Sequence, residues 1–285
     1  MAFDLIAVGD VMLDGALPEP VPGRRIHGHL ALRVGGSAAN AALEAASRGA
    51  HAAVVGRVGS DPAGKLVEQA LVDGGVVPLL AHDQDAPTGC VVVAGSAIVA
   101  DPGASARLSP DDVPGTLAAG AVLVSGYSLL LPGPEAAARA ALARSAAQWL
   151  AVDAASRGLV ESFGAARFFA ATERADVLLA NEEEARALTG LDAEEAVRTL
   201  AGRYRVACVK LGPAGAIAAA DGAVVAAPAQ PFEPDGALGA GDAFAAGFLI
   251  ALAAAQPLEA ALVQGCAAAA ARSRDLARSG PRGPA

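Results

Sequence analysis

A carboxylate set beside a phosphate-binding turn is an unusual pairing, and residues 239–242 make it. Gly239-Ala240-Gly241-Asp242 opens an apolar stretch that runs from Ala243 to Ala255. Two glycines let a backbone turn tightly and come close to a ligand. The Ala-rich stretch behind them reads as a helix. Its first amides have no intrahelical partners and, with the positive pole of the dipole, suit an anion such as a phosphate. A carboxylate is normally unwelcome there, so Asp242 points to a base working next to a transferring phosphoryl group. Taken alone, the tetrapeptide also fits an ordinary Gly-rich turn from strand to helix.

Polar residues that could join it fall where strands should end. Asp10 and Asp14 follow the apolar run 3–8, Asp153 closes 149–153, and Asn181-Glu182-Glu183-Glu184 follows 176–180. Gly212 follows 206–211, a run that contains Lys210. Each residue by itself is as well explained by a helix cap or a solvated turn. Their shared position, beyond strand ends where open α/β sheets bind ligands, weighs against that explanation.

The elements that must carry these residues alternate between strand-like and helix-like segments. Ser37 can cap a helix over 38–48 that Gly49 ends, and Pro62 opens a helix over 62–73. Apolar runs at 52–58, 121–125, 149–153, 176–180 and 206–211 predict strands, with a hairpin of 91–94 and 97–100 around Gly95-Ser96. Two further strands are expected at 216–220 and 223–226, and helices at 134–147, 182–188, 192–201, 240–255 and 258–273. Short apolar strands separated by helices argue for a mostly parallel sheet covered on both faces, an α/β sandwich. The Gly/Pro-rich tail from Arg278 is expected to fray.

Composition narrows the class. The 285 residues suffice for one large or two small domains with a sizeable core. Hydrophobic residues make up 54%, but the excess is mostly Ala and Val, and no stretch has the length and bulk of a bilayer helix. The start Met1-Ala2-Phe3-Asp4 carries no basic leader, so no secretory signal is expected. A net charge of −9 argues against a nucleic-acid partner. Cys90, Cys208 and Cys266 are odd in number, far apart and without metal-type spacing. A reduced, cytoplasmic protein with no membrane partner is the expectation.

Gly35-Gly36-Ser37-Ala38-Ala39-Asn40, followed by Ala42, Gly49 and Gly59, resembles the N-terminal signature of the PfkB/ribokinase family of sugar and nucleoside kinases. Gly239-Ala240-Gly241-Asp242, with Ala246-Gly247-Phe248 behind it, resembles the C-terminal signature. Between them, Asn181-Glu182-Glu183-Glu184 resembles that family's Asn-x-x-Glu motif. Smaller echoes are Pro87-Thr88-Gly89, Gly103-Ala104 and Lys210-Leu211-Gly212-Pro213-Ala214-Gly215. The motifs keep the family's order, and the resemblance runs from Asp4 to about Ser273.

That resemblance implies a single domain over 1–285. Its fold would be a ribokinase-like three-layer α/β/α sandwich with a mostly parallel central sheet. A small β lid would come from about 15–34 and 88–101. It further implies transfer of the ATP γ-phosphoryl group to a hydroxymethyl group, with Mg2+. Asp242 would be the general base, and the amides of Gly239, Ala240 and Gly241 the anion hole. Asp14, Gly35, Gly36 and Asn40 would bind the acceptor, and Asn181, Lys210, Gly212 and Gly215 the nucleotide. Asn181 and Glu184, three apart at a helix start, would position Mg2+ through its waters. Asp153 and Arg157 resemble a site-lining segment, and two copies could pair through the lid. His27 and His29 lie in the lid and either reach substrate or have no role.

The family pattern is not kept throughout. Gly236-Ala237-Leu238 stands where relatives often read Asp-Thr-Thr, with Asp235 displaced by one position. Losing those oxygens leaves a monovalent cation in doubt. Cys266 stands where many relatives have Asn near the adenine. A sugar acceptor is expected, with a nucleoside as the alternative; aromatic content of 4% leaves few rings to stack on a base. A catalytically silent, nucleotide-binding regulator is a further reading, against which the retained Asp242 argues. A Rossmann dehydrogenase would need a Gly-x-Gly-x-x-Gly turn after the first strand, and this chain has none.

Overall fold

A computed structural model describes residues 2–17, 30–94, 97–231 and 239–279. In chain order the strands begin with β1 (Phe3–Val8), β2 (Met12–Leu17), β3 (Ala31–Gly35), β4 (Ala52–Gly59), β5 (Val76–Asp83), β6 (Thr88–Ala94) and β7 (Ala97–Gly103). They continue with β8 (Ala119–Ser125), β9 (Trp149–Asp153), β10 (Val177–Asn181), β11 (Val206–Lys210), β12 (Ala216–Ala220) and β13 (Ala223–Ala227). The first five helices are α1 (Ser37–Ser47), α2 (Pro62–Asp73), α3 (Gly126–Leu130), α4 (Glu135–Arg144) and α5 (Arg157–Phe163). After them come α6 (Ala165–Ala171), α7 (Glu182–Thr189), α8 (Ala193–Ala201), α9 (Ala240–Ala253) and α10 (Leu258–Ser279).

A nine-stranded sheet in the order β13-β12-β11-β10-β9-β8-β1-β4-β5 forms the middle layer. It is parallel except where β12 pairs with β11 and with β13. Side chains of β1 alternate between two cores. Leu5 and Ala7 join α1, α2, α9 and α10 on one face, and Ile6 and Val8 join α3 to α8 on the other. Burial on both faces explains why such strands read as unbroken apolar runs. The result is the expected three-layer α/β/α sandwich. Alanines such as Ala39 and Ala42 of α1, and Ala245 and Ala246 of α9, lie fully buried where these helices pack. Small side chains there let two helix starts come close, which matters for the site.

A second, four-stranded sheet has the order β3-β2-β6-β7, with β2 antiparallel to β3 and parallel to β6. It falls in the segments expected for a lid but begins earlier, at Met12. His27, His29 and the Gly95-Ser96 turn lie outside the described residues, as do Asp235 and Gly236-Ala237-Leu238.

Several expectations need correction. The strand β5 was not legible, because Pro78 interrupts an otherwise apolar run; β5 is a sheet edge, where a missing N–H is tolerated. Asp14-Gly15 likewise hid β2. The helix expected from 134 begins at Glu135 with Pro134 at its N-cap and stops at Arg144. The last helix runs six residues past 273, to Ser279. Ser37 does not cap α1: Gly36 occupies the N-cap at φ 88°, and Ser37 is the first helical residue. Among the described residues, no helix is long and apolar enough to cross a membrane.

Candidate active site

The parallel strands deliver Asp10, Ser125, Asp153, Asn181 and Lys210 to their carboxyl ends, at or just past β1, β8, β9, β10 and β11. Asp10 does the capping that Ser37 was expected to do. One of its oxygens accepts the Ser37 N–H at 2.6 Å and the other accepts the Ser125 hydroxyl at 2.7 Å. An orphan amide of α1 is thus satisfied by a carboxylate 27 residues upstream. Burial pushes the Asp10 carboxyl above its ordinary range, against the pull of these bonds.

One turn into α1, Asn40 meets Asp242 in the first turn of α9. Its Nδ2 donates to Asp242 Oδ2 at 3.0 Å, joining two signatures 202 residues apart. Asp242 is raised to about 7, by burial first and then by the Asp153 charge, with the Asn40 bond opposing. A carboxylate poised near neutrality can hold or give up a proton at working pH. Ahead of it, Gly239 is the N-cap of α9 at φ 75°, a conformation that glycine alone adopts without strain. The following amides have no side-chain cap.

Next to this turn lies an ion pair. Lys210 Nζ donates to Asp153 Oδ2 at 2.7 Å and sits 3.4 Å from where a Cβ on Gly241 would be. Burial pulls the ammonium down, but Asp153 and Glu184 outweigh it and hold the group charged. Glu184 and Asn181 form a reciprocal capping box. Asn181 donates from its backbone N–H at 2.8 Å and from Nδ2 at 2.7 Å, and its Oδ1 accepts the Glu184 N–H at 2.9 Å. Burial raises the Glu184 carboxyl, with Asp153 adding to it and Lys210 opposing. Among the described residues, no group of three His, Cys, Asp or Glu surrounds a common point. The donors present are hard oxygens, which suit an ion such as Mg2+ that keeps its waters and leans on substrate phosphates.

The third part is a floor built from β2, β3 and α1. The Asp14 carboxylate lies over Gly35 so closely that a Cβ there would overlap it. Asp14 is raised to about 6 by burial, with Asp10 adding and Arg272 and Arg33 opposing. Gly36 brings its backbone against that of Asp10.

The structure brings Asp14, Gly35, Gly36, Asn40, Lys210, Gly239, Gly241 and Asp242 together, with Asn181 and Glu184 reaching the group through Lys210 and Asp153. Gly212 and Gly215 form the turn after β11, and a Cβ on Gly215 would strike the Ala227 carbonyl, so packing alone accounts for that glycine. Arg157 is not in the site: it pairs with Glu161 at 2.7 Å on an exposed face. Cys266 is buried in the α9–α10 core. A pocket of about 410 Å³ lined by Glu182, Glu194, Leu211, Ala214, Ile217 and Val225 contains neither Asp242 nor the groups around it.

Three residues escaped the sequence reading. Arg272, on α10, donates from Nη2 to Asn40 Oδ1 at 3.1 Å. Arg33 stands opposite Asp14 in the β2–β3 register. Tyr127, pushed up to about 12 by burial and then by Asp10 and Asp242, stands at the start of α3. Nothing in the local sequence marks them, because their meaning depends on strands and helices far away in the chain.

A model of the pfkB family carbohydrate kinases matches residues 3–276. A 2-dehydro-3-deoxygalactonokinase of Haloferax volcanii is 30% identical over 291 residues, which cover 95% of this chain and 91% of that protein. The fructokinase of Vibrio cholerae O395, solved with fructose, ADP and calcium ion bound, is 26% identical with a TM-score of 0.78, covering 95% of this chain and 93% of its own. The adenosine kinase of Sinorhizobium meliloti shares the fold at a TM-score of 0.84 and 24% identity, over 94% of this chain and 93% of its own.

Proposed function

Because the chain belongs to the pfkB family of carbohydrate kinases, we propose that it moves the γ-phosphoryl group of ATP to a hydroxymethyl group of a sugar. The observation that carries this reading is the Asn40–Asp242 bond of 3.0 Å, which sets a near-neutral base between an acceptor floor and a helix start. The acceptor lies on Gly35, Gly36 and Asn40, where Asp14 accepts hydrogen bonds from its hydroxyls. Asp242 takes the proton of the attacking hydroxyl, the oxygen bonds to the γ-phosphorus, and the bond to the bridging oxygen breaks to release ADP. Amides of Gly239, Ala240 and Gly241 face the charge that builds on the phosphoryl oxygens. Lys210, held by Asp153, offers the ammonium beside Gly241, and Asn181, Gly212 and Gly215 lie on the nucleotide side. Bound Mg2+ would neutralise phosphate charge, with Asn181 and Glu184 holding it through its waters.

An apolar row runs across the small sheet in register: Leu32, Gly15, Val92 and Val99, with Leu32 62% and Val99 68% exposed. It supports pairing of two copies through the lid, and a monomer in light scattering at micromolar concentration would end that idea. Three free cysteines and an ATP-dependent reaction support a cytoplasmic location. The test of the function is direct. Protein, ATP and Mg2+ incubated with a panel of sugars and nucleosides should release ADP with at least one acceptor. Release with nucleosides only would overturn the sugar reading, and silence with ATP still bound would favour a regulator.

A further inference from the structure

Two cations bracket the start of α9. Lys210 Nζ lies 3.4 Å from where a Cβ on Gly241 would be, and Arg272 Nε lies 3.5 Å from the corresponding point on Gly239. Lys210 donates to Asp153 at 2.7 Å. Arg272 donates from Nη2 to Asn40 Oδ1 at 3.1 Å, while its buried Nε has no partner among the described residues. The charge of Arg272 is not what is unmet, because Asp14 and Asp242 stand close to it. What is unmet is a hydrogen bond, and leaving a buried donor without one is costly.

The surroundings say what would meet that donor. Asn40 is held at both ends, accepting from Arg272 and donating to Asp242 at 3.0 Å, so one side chain separates the guanidinium from the base. Gly35 lies against the Asp14 carboxylate and Gly36 against the Asp10 backbone, whereas Arg272 Nε abuts Gly239. Gly239 is the N-cap of a 14-residue helix with no side-chain cap, which leaves the amides behind it open to an anion.

We propose that Arg272 is a catalytic residue whose Nε donates to an oxygen of the phosphoryl group as it passes to the acceptor. The proposal rests on the reading of the Gly239, Ala240 and Gly241 amides as the anion hole. A guanidinium stays protonated and offers several donors in one plane, so Nη2 keeps Asn40 while Nε takes the phosphoryl oxygen. Donors fixed in advance around a transferring phosphoryl group stabilise it without reorganisation. No bond to Arg272 forms or breaks: the hydroxyl proton goes to Asp242, the γ-phosphorus exchanges one oxygen partner for another, and the guanidinium keeps its protons. A residue that only steadied Asn40 would need Nη2 alone.

Arg272→Gln separates the two roles, because its amide can still donate to Asn40 Oδ1 but brings neither the charge nor the second arm of the fork. The first readout needs no acceptor. Calorimetry with Mg2+ compares ADP alone with ADP plus aluminium fluoride, which mimics the transferring phosphoryl group. Wild-type protein should bind ADP more tightly with the fluoride complex, and Arg272→Gln should lose most of that gain while binding ADP alone as before. The second readout is turnover with whichever acceptor the panel yields. Arg272→Gln should lower kcat about 10²-fold, the loss typical of removing one such donor, with both KM values little changed. Arg272→Lys, which keeps the charge but not the fork, should fall between. Wild-type kcat and an intact fluoride gain in Arg272→Gln would overturn the inference and leave the kinase reading standing. A fluoride gain that Arg272→Gln abolishes, in a protein that phosphorylates no acceptor, would support the Arg272 contact and overturn the kinase reading. If melts show that Arg272→Gln does not fold, Arg272→Lys decides, and an unchanged kcat and fluoride gain there would sink the proposal.

Discussion

Replacing Asp242 with Asn should lower turnover by orders of magnitude and stabilise the protein, and the second effect has a size that depends on pH. The carboxyl is raised from 3.8 to about 7, chiefly by burial and by the Asp153 charge. A rise of that size, at ~1.4 kcal/mol per unit, corresponds to ~4 kcal/mol by which the ionised carboxylate destabilises the fold. Asp242 is only partly buried, so water entering the site lowers this to ~1–3 kcal/mol. Between about pH 4 and 7 the native state holds a proton that the unfolded chain has lost, so wild-type stability falls as pH rises through that window. Asp10 and Asp14 add to this slope in both proteins, and because Asp10 and Asp242 repel each other the share of Asp10 is smaller in the variant. Asn keeps the oxygen that accepts from Asn40 and removes only the charge. Thermal melts of both proteins should therefore show a smaller gap at pH 5, where about a third of the effect is already present, than at pH 8. At pH 8 the variant should melt several degrees higher, at roughly 2–3 °C per kcal/mol for a chain of this size. Its kcat should fall by ~10²–10⁴, the range for losing a general base, with ATP affinity nearly intact. A variant equally shifted at both pH values, or less stable at pH 8, would refute the electrostatic argument; retained turnover would refute the base.

Two other substitutions separate the halves of the site. Gly35 has no positive φ, so Gly35→Ala is tolerated by the backbone, yet its Cβ would displace the Asp14 carboxylate. Steady-state kinetics should show acceptor KM raised at least 10-fold with ATP KM little changed; a reversed pattern would place Asp14 on the wrong substrate. Lys210→Met leaves Asp153 without its partner and should lower stability by ~1–3 kcal/mol, less than the ~3–5 kcal/mol typical of breaking a fully buried pair, since both side chains are about 15% exposed. Denaturant melts should show Asp153→Asn recovering most of that loss in the double variant, while turnover stays low.

Elements buried on both faces were legible because continuous apolar runs such as Ala121 to Ser125 admit few other structures. Edges were not. Pro78 in β5 and Asp14-Gly15 in β2 look like breakers, and only a neighbouring strand makes them otherwise. The site followed the same division. Gly35, Asn40 and Asp242 lie in contiguous motifs whose glycines are required by turns and close approaches. Asp10 was visible as a polar residue after a strand, but its task of holding α1 depends on Ser125 and Ser37 arriving from elsewhere. Arg272 sits in an Ala- and Arg-rich helix, and only the packing of α10 on α9 aims it at Asn40.

The charges sort into two halves with different demands. Asp153, Glu184 and Lys210 form one charged group beside Asp242, and Asp10 and Asp14 with Arg272 and Arg33 form another. Their carboxyls titrate above the ordinary range at Asp10, Asp14, Glu184 and Asp242, and burial is the first cause each time. A fold optimised for stability alone would not gather these groups at one sheet edge. The cores on the two faces of the sheet, close-packed through small alanines, supply the stability that offsets them. The base sits where the halves meet, and its near-neutral carboxyl is a consequence of that meeting: Asp153 pushes it up from one side, Asn40 restrains it from the other. Moving either neighbour should retune the base as surely as replacing it.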